Sequence, residues 1–408
     1  MYDFLSGLRI VECSAFVAAP LCGNVFGQYG ATVIRIDPLQ GGIDSRRWPL
    51  GEEGGSLYWA GLNNTKKSVC LDLSRPEGRA LALRLITAPG PGSGIFSTNL
   101  RASWLRHDAL VALRPDLIML SILGHADGRS AVDYTVNAET GIPCLTGGQG
   151  AAAPVNHSLP AWDIATGLQG AVALLAALRR RDATGQGSHI QLSLADVAYS
   201  ALAQLGYTSE VQATGRARPV LGNHVYGAFG HDFATADGQR VMVAAISAHQ
   251  WTSLVRATGL DADFAQAAQA QQLDFSREGD RYRGREAIAR IVGGWCTARP
   301  LADVAQAFDA AGVCWSAYRS VEQAVAEDAR FTPQGDGVFA PVAHPGVGRF
   351  STPGTAARFA GVARLPVPAA PQLGRDTDEV LRGTLGMDTG EIASLRQRGL
   401  IGPVNAAA

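Results

Sequence analysis

One acidic residue, Asp163, stands near the start of a long stretch of small and apolar residues, LPAWDIATGLQGAVALLAAL, which covers residues 159–178. No further charge occurs until Arg179, Arg180 and Arg181. This pattern predicts a helix whose last turn carries cations, as the negative pole of a helix prefers. An aspartate at the opposite end can act as an N-cap, because its carboxylate accepts a backbone N–H of the first turn. Capping is therefore the first interpretation of Asp163.

Basic residues occur in pairs close to predicted strands in the first quarter of the chain. These pairs should lie in loops at the carboxyl edge of a parallel sheet, where open α/β sheets bind their ligands. A solvated basic rim is the alternative for each pair. Three pairs at one edge favour a polyanionic nucleotide as the ligand. The pairs are Arg46 and Arg47, Lys66 and Lys67, and Arg101 and Arg106.

Several common catalytic signatures are missing. The sequence has no GxSxG motif, no Walker A motif and no GxGxxG motif after the first predicted strand. Its eight histidines and six cysteines form no HExxH motif and no CxxC pair, so no metal site is expected. Several cysteines lie in apolar segments, which favours reduced, buried thiols.

The composition is that of an ordinary globular protein. The 408 residues are 47% hydrophobic and 17% charged, and the net charge is −1. These values give no sign of affinity for nucleic acids or membranes. No apolar run reaches the roughly 18 residues of a membrane span. The first residues lack the pattern of a signal peptide, so a cytoplasmic protein is expected.

Short apolar runs alternate with helical patterns in the first half of the chain. Residues 8–14 and 31–37, and the stretches GIFSTN and LIMLSILG, predict buried strands separated by helices. This alternation predicts an α/β fold with a Rossmann-like parallel sheet. From about residue 224 an alternating hairpin pattern and then helical patterns predict a smaller α+β domain.

Five stretches resemble successive signatures of the class III CoA-transferase family, in family order and over nearly the whole chain. They are GLRIVECSAFVAAP, GATVIRIDPLQGG, SLYWAGLNNTKKSVCLDL, DATGQGSHIQLSLADV and PQLGRDTDEVLRGTLG. The resemblance implies that the small domain, residues 224–330, is inserted between the two parts of the large domain, residues 1–223 and 331–408. It also implies an interlocked homodimer.

The resemblance implies roles for individual residues. Asp163 matches the aspartate that acts as the catalytic nucleophile in the family. CoA would be bound as part of a thioester substrate, with no tightly bound cofactor. The CoA contacts carried over by position are Phe16, Val17, Arg46, Lys66, Leu71, Asn99 and Arg106.

Four further residues are expected to surround the reacting acyl group. His125 and Asp127 lie in the loop GHADG, and Tyr226 and Phe229 lie in the small domain. An ordinary polar loop and a hairpin core are the respective alternatives. Backbone N–H groups should stabilise the oxyanion. Candidate donors lie near Gly124, Gly128 and Gly227.

A second set of stretches resembles family members that move CoA between the two carboxyl groups of one small unsaturated diacid. It comprises SAFVAAPL, SRRWP, VDYTVN, VNHSLPAWDI, YGAFGHDF and RLPVPAAPQLG. Where the family often has Gln in the loop after the first strand, this chain has Val17.

Three other activities remain open: transfer of CoA to a separate acid, racemisation of an acyl-CoA, and CoA binding without catalysis. A racemase pairs the helix-start aspartate with a histidine. That histidine is replaced here by Val132, which argues against racemisation without excluding it.

Overall fold

The computed structural model describes residues 1–147, 153–331 and 338–402. The chain forms two compact units. The smaller unit comprises residues 141–156 and 207–327, and the larger unit comprises residues 1–140, 157–206 and 328–408. The smaller unit therefore includes two segments, 141–156 and 207–223, that lie within the predicted bounds of the large domain.

Eleven strands occur in the described residues. They are β1 (Arg9–Cys13), β2 (Thr32–Pro38), β3 (Lys66–Leu71), β4 (Ile95–Thr98), β5 (Ile118–Leu123), β6 (Ser188–Ser193), β7 (Phe229–Ala234), β8 (Arg240–Ala245), β9 (Cys314–Ala317), β10 (Phe339–His344) and β11 (Gly348–Pro353).

Seventeen α-helices occur in the same residues. They are α1 (Ala18–Gln28), α2 (Leu57–Asn63), α3 (Pro76–Thr87), α4 (His107–Leu113), α5 (Asp133–Glu139), α6 (Pro143–Thr146), α7 (Ala161–Thr184), α8 (Leu194–Gln204), α9 (Tyr207–Thr214), α10 (Ala248–Thr258), α11 (Asp261–Gln271), α12 (Glu278–Arg283), α13 (Arg285–Thr297), α14 (Leu301–Ala311), α15 (Val321–Glu327), α16 (Thr377–Leu385) and α17 (Thr389–Gln397). Short 3-10 helices occupy Ile43–Arg46, Ser103–Leu105 and Ala329–Phe331.

The larger unit is built on a six-stranded sheet in the order β3-β2-β1-β4-β5-β6, and every pair of neighbours is parallel. This is the strand order of the Rossmann fold. The α/β fold with a Rossmann-like parallel sheet is thereby confirmed. Because the chain leaves β1 in one direction and β4 in the other, their carboxyl ends open a crevice between them.

Both faces of this sheet are covered, so its strands are apolar on both sides. In β1, Ile10 belongs to a cluster with α1 and α7, whereas its neighbour Val11 belongs to a cluster with α3, α16 and α17. Successive strand residues point to opposite faces, and this alternation assigns them to the two clusters. In the C-terminal part of the larger unit, β10 and β11 form an antiparallel hairpin.

Helix α7 packs closely on α1. A Cβ at Gly167 would lie 2.7 Å from the carbonyl oxygen of Ala18, so only glycine permits this approach. Helix α7 is also the one helix of the described residues that is long and apolar enough to span a membrane by length and composition. A core helix meets the same criterion, and Leu174, which packs with α1, is fully buried.

The smaller unit contains a three-stranded antiparallel sheet in the order β7-β8-β9. The sheet packs against α10, α11, α13 and α14 around an apolar core that includes Phe229, Val243, Ile288 and Phe308. Its first two strands form the hairpin that the sequence predicts, and the smaller unit is α+β as expected.

A buried guanidinium, that of Arg35 on β2, holds together the loops that follow β1 and β2. It donates to both carboxylate oxygens of Asp37 at 2.9 and 3.0 Å and to those of Asp44 at 3.1 Å. It also donates to the backbone oxygen of Ser14 at 3.0 Å. Asp44 belongs to the 3-10 helix that leads to Arg47. Arg35 therefore fixes both segments that carry pocket residues.

We expect Arg35→Met to destabilise the protein by about 3–5 kcal/mol, because it leaves Asp37 and Asp44 buried without their cation. Thermal unfolding measures the change, with the exposed Arg84→Met as a matched control. A melting temperature equal to that of the wild type would show that these carboxylates do not depend on Arg35.

Candidate active site

A cavity of about 630 Å³ opens in the larger unit at the crevice between β1 and β4. Segments that follow the four neighbouring strands β2, β1, β4 and β5 form its walls, together with α5 and the first turn of α7. Its lining includes Phe16 and Val17 after β1, Asn99 after β4, Gly124 after β5, and Arg47, Tyr58, Val132, Asp133, Tyr134 and Asp163.

Hydrogen bonds to Asn99 hold the loop after β1 in place, and the loop contains a strained residue. The Asn99 amide accepts the N–H of Ala15 at 2.9 Å and donates to the oxygen of the same residue at 2.7 Å. The next residue, Phe16, has φ of 65°, a conformation that is rare for a residue other than glycine. Such local backbone strain is often found at functional sites.

Asp163 is the third residue of α7, and the N-cap position is occupied by Pro160. The Asp163 carboxylate makes no hydrogen bond or ion pair with any described residue. The capping interpretation is therefore wrong. Burial, with a smaller effect of the nearby Asp133 charge, raises the Asp163 pKa from its ordinary value of 3.8 to about 6, although Arg47 opposes the shift.

The cap of α7 comes from Asp133, at the start of α5. Its Oδ2 accepts the N–H of Trp162 at 2.7 Å and that of Asp163 at 3.0 Å, and its Oδ1 lies 2.5 Å from His157 Nε2. Asp133 is almost fully buried. Since Asp133 satisfies the first turn of α7, the carboxylate of Asp163 is left available for chemistry.

Arg47 lies at the exposed rim of the cavity. Its Cζ is 5.5 Å from the ring centre of Phe16 and 5.2 Å from that of Tyr58, within cation–π range. Burial raises the pKa of Tyr58 to about 12, and Arg47 opposes this effect. The Tyr58 hydroxyl is therefore neutral at physiological pH and can donate a hydrogen bond.

Four of the predicted residues lie together around this cavity. They are Asp163, Phe16, Val17 and Asn99. Gly124, a predicted source of oxyanion donors, lines the same cavity. The carbonyl of Gly128 accepts a hydrogen bond from Arg101, and Gly227 belongs to the smaller unit.

Two predicted CoA contacts are contradicted by the structure. The Lys66 ammonium is buried, 2.7 Å from Glu12 Oε1 and 2.8 Å from the oxygen of Pro20, so it is not available to a phosphate. Leu71 is fully buried in the core between β3 and α3 and lines no binding surface. Both residues occupy β3, and the sequence pattern did not reveal that their side chains point inward.

Two predicted phosphate contacts lie outside the cavity that contains Asp163. Arg46 is exposed and donates to the oxygen of Gln40 at 2.9 Å. Arg106 is also exposed, pairs with Asp108 at 2.6 Å and lines a neighbouring cavity of about 640 Å³. That cavity shares Asn99 and Arg101 with the first one.

The predicted acyl-pocket residues of the GHADG loop do not line the cavity. His125 is buried with Nε2 3.3 Å from Glu139 Oε1, and Asp127 is exposed and pairs with Arg129 at 2.7 Å. In the smaller unit, the Tyr226 hydroxyl donates to Glu210. Phe229 is fully buried in the core of that unit, so the hairpin-core alternative is correct for it.

Sequence reasoning missed Tyr58 and Asp133 as site residues, and from the pair Arg46 and Arg47 it selected Arg46 as the CoA contact. Arg47 adjoins Arg46, and the sequence offered no means of choosing between them. Asp133 lies in the stretch VDYTVN, where the sequence indicated a family resemblance and the replacement of a histidine by Val132 but no role for the aspartate. Among the described residues, no group of three or more His, Cys, Asp or Glu side chains could hold a metal ion.

The family model for CoA-transferase family III matches residues 5–377. The chain belongs to this family. It is 45% identical to 2-methylfumaryl-CoA isomerase of Chloroflexus aurantiacus over the whole of both chains. It is also 26% identical to the alpha subunit of succinyl-CoA--L-malate CoA-transferase of the same organism, over 97% of this chain and 92% of that one.

Solved structures of similar proteins share the fold. A CAIB/BAIF family protein from Brucella suis superimposes with a TM-score of 0.76 at 24% identity, covering 94% of this chain and 100% of that one. The Rv3272 protein of Mycobacterium tuberculosis gives a TM-score of 0.71 at 21% identity, covering 91% and 97%. The predicted family is confirmed, and the protein is an enzyme of the CoA-transferase kind.

We expect Asp163→Asn to stabilise the protein at neutral pH. A carboxyl pKa of about 6 in the folded state, against 3.8, corresponds to a penalty of about 3 kcal/mol once the group is ionised. The penalty is absent below the unfolded-state pKa and complete above the folded-state pKa. The gain in melting temperature should therefore grow as the pH rises from about 4 to 7. A gain that is independent of pH would contradict this assignment.

Proposed function

We propose that the protein is a 2-methylfumaryl-CoA isomerase, which moves CoA between the two carboxyl groups of one mesaconyl unit. The 45% identity to the Chloroflexus aurantiacus isomerase over the full length supports this substrate. The carrying observation is the Asp163 carboxylate, which lines a cavity without a hydrogen-bond partner among the described residues while Asp133 caps its helix.

The proposed reaction is covalent catalysis by Asp163. Its carboxylate attacks the thioester carbonyl, the C–S bond breaks, and CoA thiolate departs. Asp163 and the acyl group are then joined as a mixed anhydride. The thiolate then attacks the aspartyl carbonyl, which breaks the C–O bond and gives an enzyme–CoA thioester and the free diacid. No net proton transfer is needed in either step.

The second half of the reaction repeats these steps in reverse at the other end of the diacid. Its second carboxylate attacks the aspartyl thioester and expels thiolate, which then attacks the newly activated carbonyl and releases Asp163. If the diacid stays bound, its effective concentration can reach ~10⁵ M or more. A cavity of about 630 Å³ has room for this small diacid and the end of the CoA chain.

The raised pKa of Asp163 suits this role. A group with a pKa of about 6 is ionised at neutral pH, as a nucleophile must be. Because its carboxylate is only partly solvated and is not hydrogen-bonded, less stabilisation is lost when it attacks. Backbone N–H groups near Gly124 are the proposed oxyanion donors.

We propose that the phosphates of CoA bind beside Arg106. Its cavity shares Asn99 and Arg101 with the cavity that contains Asp163. The Arg106–Asp108 pair is a surface ion pair, and such pairs are weak enough to exchange for a phosphate. Phe16 and Val17 would then flank the pantetheine arm between the two cavities.

Two alternatives have less support. An intermolecular CoA-transferase would use the same aspartate, and relatives such as succinyl-CoA--L-malate CoA-transferase are less similar to this chain. A racemase needs a second proton-transfer group, but Val132 stands where the histidine would be, and the adjacent Asp133 is engaged in capping.

We further propose that the protein is a homodimer. Helix α7 exposes Leu168, Val172 and Leu175, which recur at helical spacing and form an apolar stripe. A stripe of this kind is typical of a subunit interface. A second copy of the chain is the proposed occupant.

Light scattering on the wild type should give twice the chain mass of 42.7 kDa. Val172→Glu should give monomers, because a charge would then lie within the proposed interface. Leu113→Glu, at an equally exposed leucine on α4, is the matched control and should remain dimeric. A monomeric wild type would rule out the dimer.

Transfer within one molecule is tested by isotope exchange. Isomerisation of 2-methylfumaryl-CoA in excess labelled free 2-methylfumarate should leave little label in the thioesters at isomeric equilibrium, because the diacid does not leave the site. Label that enters as fast as the isomers interconvert would establish an intermolecular transferase instead. Asp163→Asn, checked by mass for deamidation, should show neither isomerisation nor a CoA adduct.

A further inference from the structure

Arg47 lines the cavity that contains Asp163. Its guanidinium has no hydrogen bond or ion pair with residues 1–147, 153–331 or 338–402. It lies over the faces of two rings, Phe16 and Tyr58. The other arginine that lines the cavity, Arg101, differs because it donates to the carbonyl of Gly128. All the guanidinium donors of Arg47 therefore remain available to a bound anion, whereas Arg101 commits one of its donors to Gly128.

Several contacts hold the immediate surroundings of Arg47. The Ser56 hydroxyl donates to the backbone oxygen of Arg47 at 2.6 Å. Asp44, three residues before Arg47, is bound by the buried guanidinium of Arg35, which also binds the loop leading to Phe16. A planar donor group held in this way is suited to a carboxylate, which an arginine can bind through two parallel hydrogen bonds.

We propose that Arg47 binds the free carboxylate of the acyl group and so selects short dicarboxylic acyl-CoA thioesters. This inference rests on the proposed function, in which one carboxyl of the diacid is a thioester and the other is ionised. Arg47 and Asp163 line the same cavity, so a short diacid can present one end to each. When the diacid turns, the carboxylate just released from the thioester takes the place beside Arg47.

Two other roles for Arg47 make different predictions. If its charge served only to keep Asp163 ionised, its loss would slow every acyl-CoA by the same factor and would do so most at low pH. If it served only to hold the Phe16 and Tyr58 rings, its loss would also affect all substrates alike. If Arg47 contacts the substrate carboxylate, its loss instead changes the ratio of the reaction rates of substrates with and without that carboxylate.

The test compares formation of the enzyme–CoA adduct, measured by quenched intact mass, from 2-methylfumaryl-CoA and from tiglyl-CoA. Tiglyl-CoA has the same carbon skeleton with a methyl group in place of the free carboxylate. Rates are measured well above pH 7, where Asp163 is ionised in every variant. The wild type should prefer the diacid thioester by about 10- to 100-fold, the range expected for a charged hydrogen-bonding pair.

Arg47→Met should lower the rate with 2-methylfumaryl-CoA by about 10- to 100-fold and change the tiglyl-CoA rate by less than about threefold. Arg47→Lys should give an intermediate preference, because the charge remains while the planar fork is lost. Arg84→Met, an exposed arginine on α3, is the control and should keep the wild-type ratio. Equal losses for both thioesters in Arg47→Met would overturn the proposal.

The same comparison with succinyl-CoA and butyryl-CoA separates this inference from the proposed function. A wild type that reacts with succinyl-CoA but does not isomerise 2-methylfumaryl-CoA would refute the isomerase. The role of Arg47 would then be tested by the ratio of the adduct-formation rates with succinyl-CoA and butyryl-CoA, compared between the wild type and Arg47→Met. A wild type that shows no preference for the carboxylate in either pair would refute the role of Arg47, whatever its isomerase activity.

Discussion

The buried guanidinium of Arg35 is the constraint on which the rest of the site depends. A cation removed from water is costly, and it is tolerated here because Asp37, Asp44 and the Ser14 carbonyl accept its hydrogen bonds. Each acceptor belongs to a different part of the carboxyl edge. Satisfying one buried charge therefore fixes the loops after β1 and β2 at once, and these loops carry Phe16 and Arg47.

A second constraint divides the work between two carboxylates. Asp133 accepts two backbone N–H groups of α7 through one oxygen, and its other oxygen lies 2.5 Å from His157 Nε2, so both oxygens are engaged. Asp163, one residue beyond Trp162, has none of these partners and carries the raised pKa. Two chemically identical side chains thus take a structural and a reactive role because of their surroundings.

The sequence predicted the parallel sheet and the family, and both are confirmed. The family resemblance also selected Asp163, Phe16, Val17 and Asn99, and the structure brings these four residues to one cavity. The predicted CoA contacts at Lys66 and Leu71 were wrong. Both residues lie on β3, and no local pattern showed that their side chains are buried. Lys66 seemed a phosphate ligand because it is basic and near a strand end. Its ammonium is instead paired with Glu12, 54 residues away. Long-range pairing of this kind follows from strand order, which places β1 beside β2 and β2 beside β3.

The sequence by itself determined the elements that depend on near neighbours: apolar runs for strands, helical spacing for α7, and the motifs that carry the family. Tertiary structure alone decided which of the adjacent Arg46 and Arg47 lines the cavity, and which aspartate caps α7. Asp133 accepts a hydrogen bond from the backbone N–H of Asp163, which lies 30 residues later in the chain. The physical reason is that periodicity encodes which face of an element is apolar. The partner of a charged or polar group is set by the burial and distance that arise only when distant segments pack together.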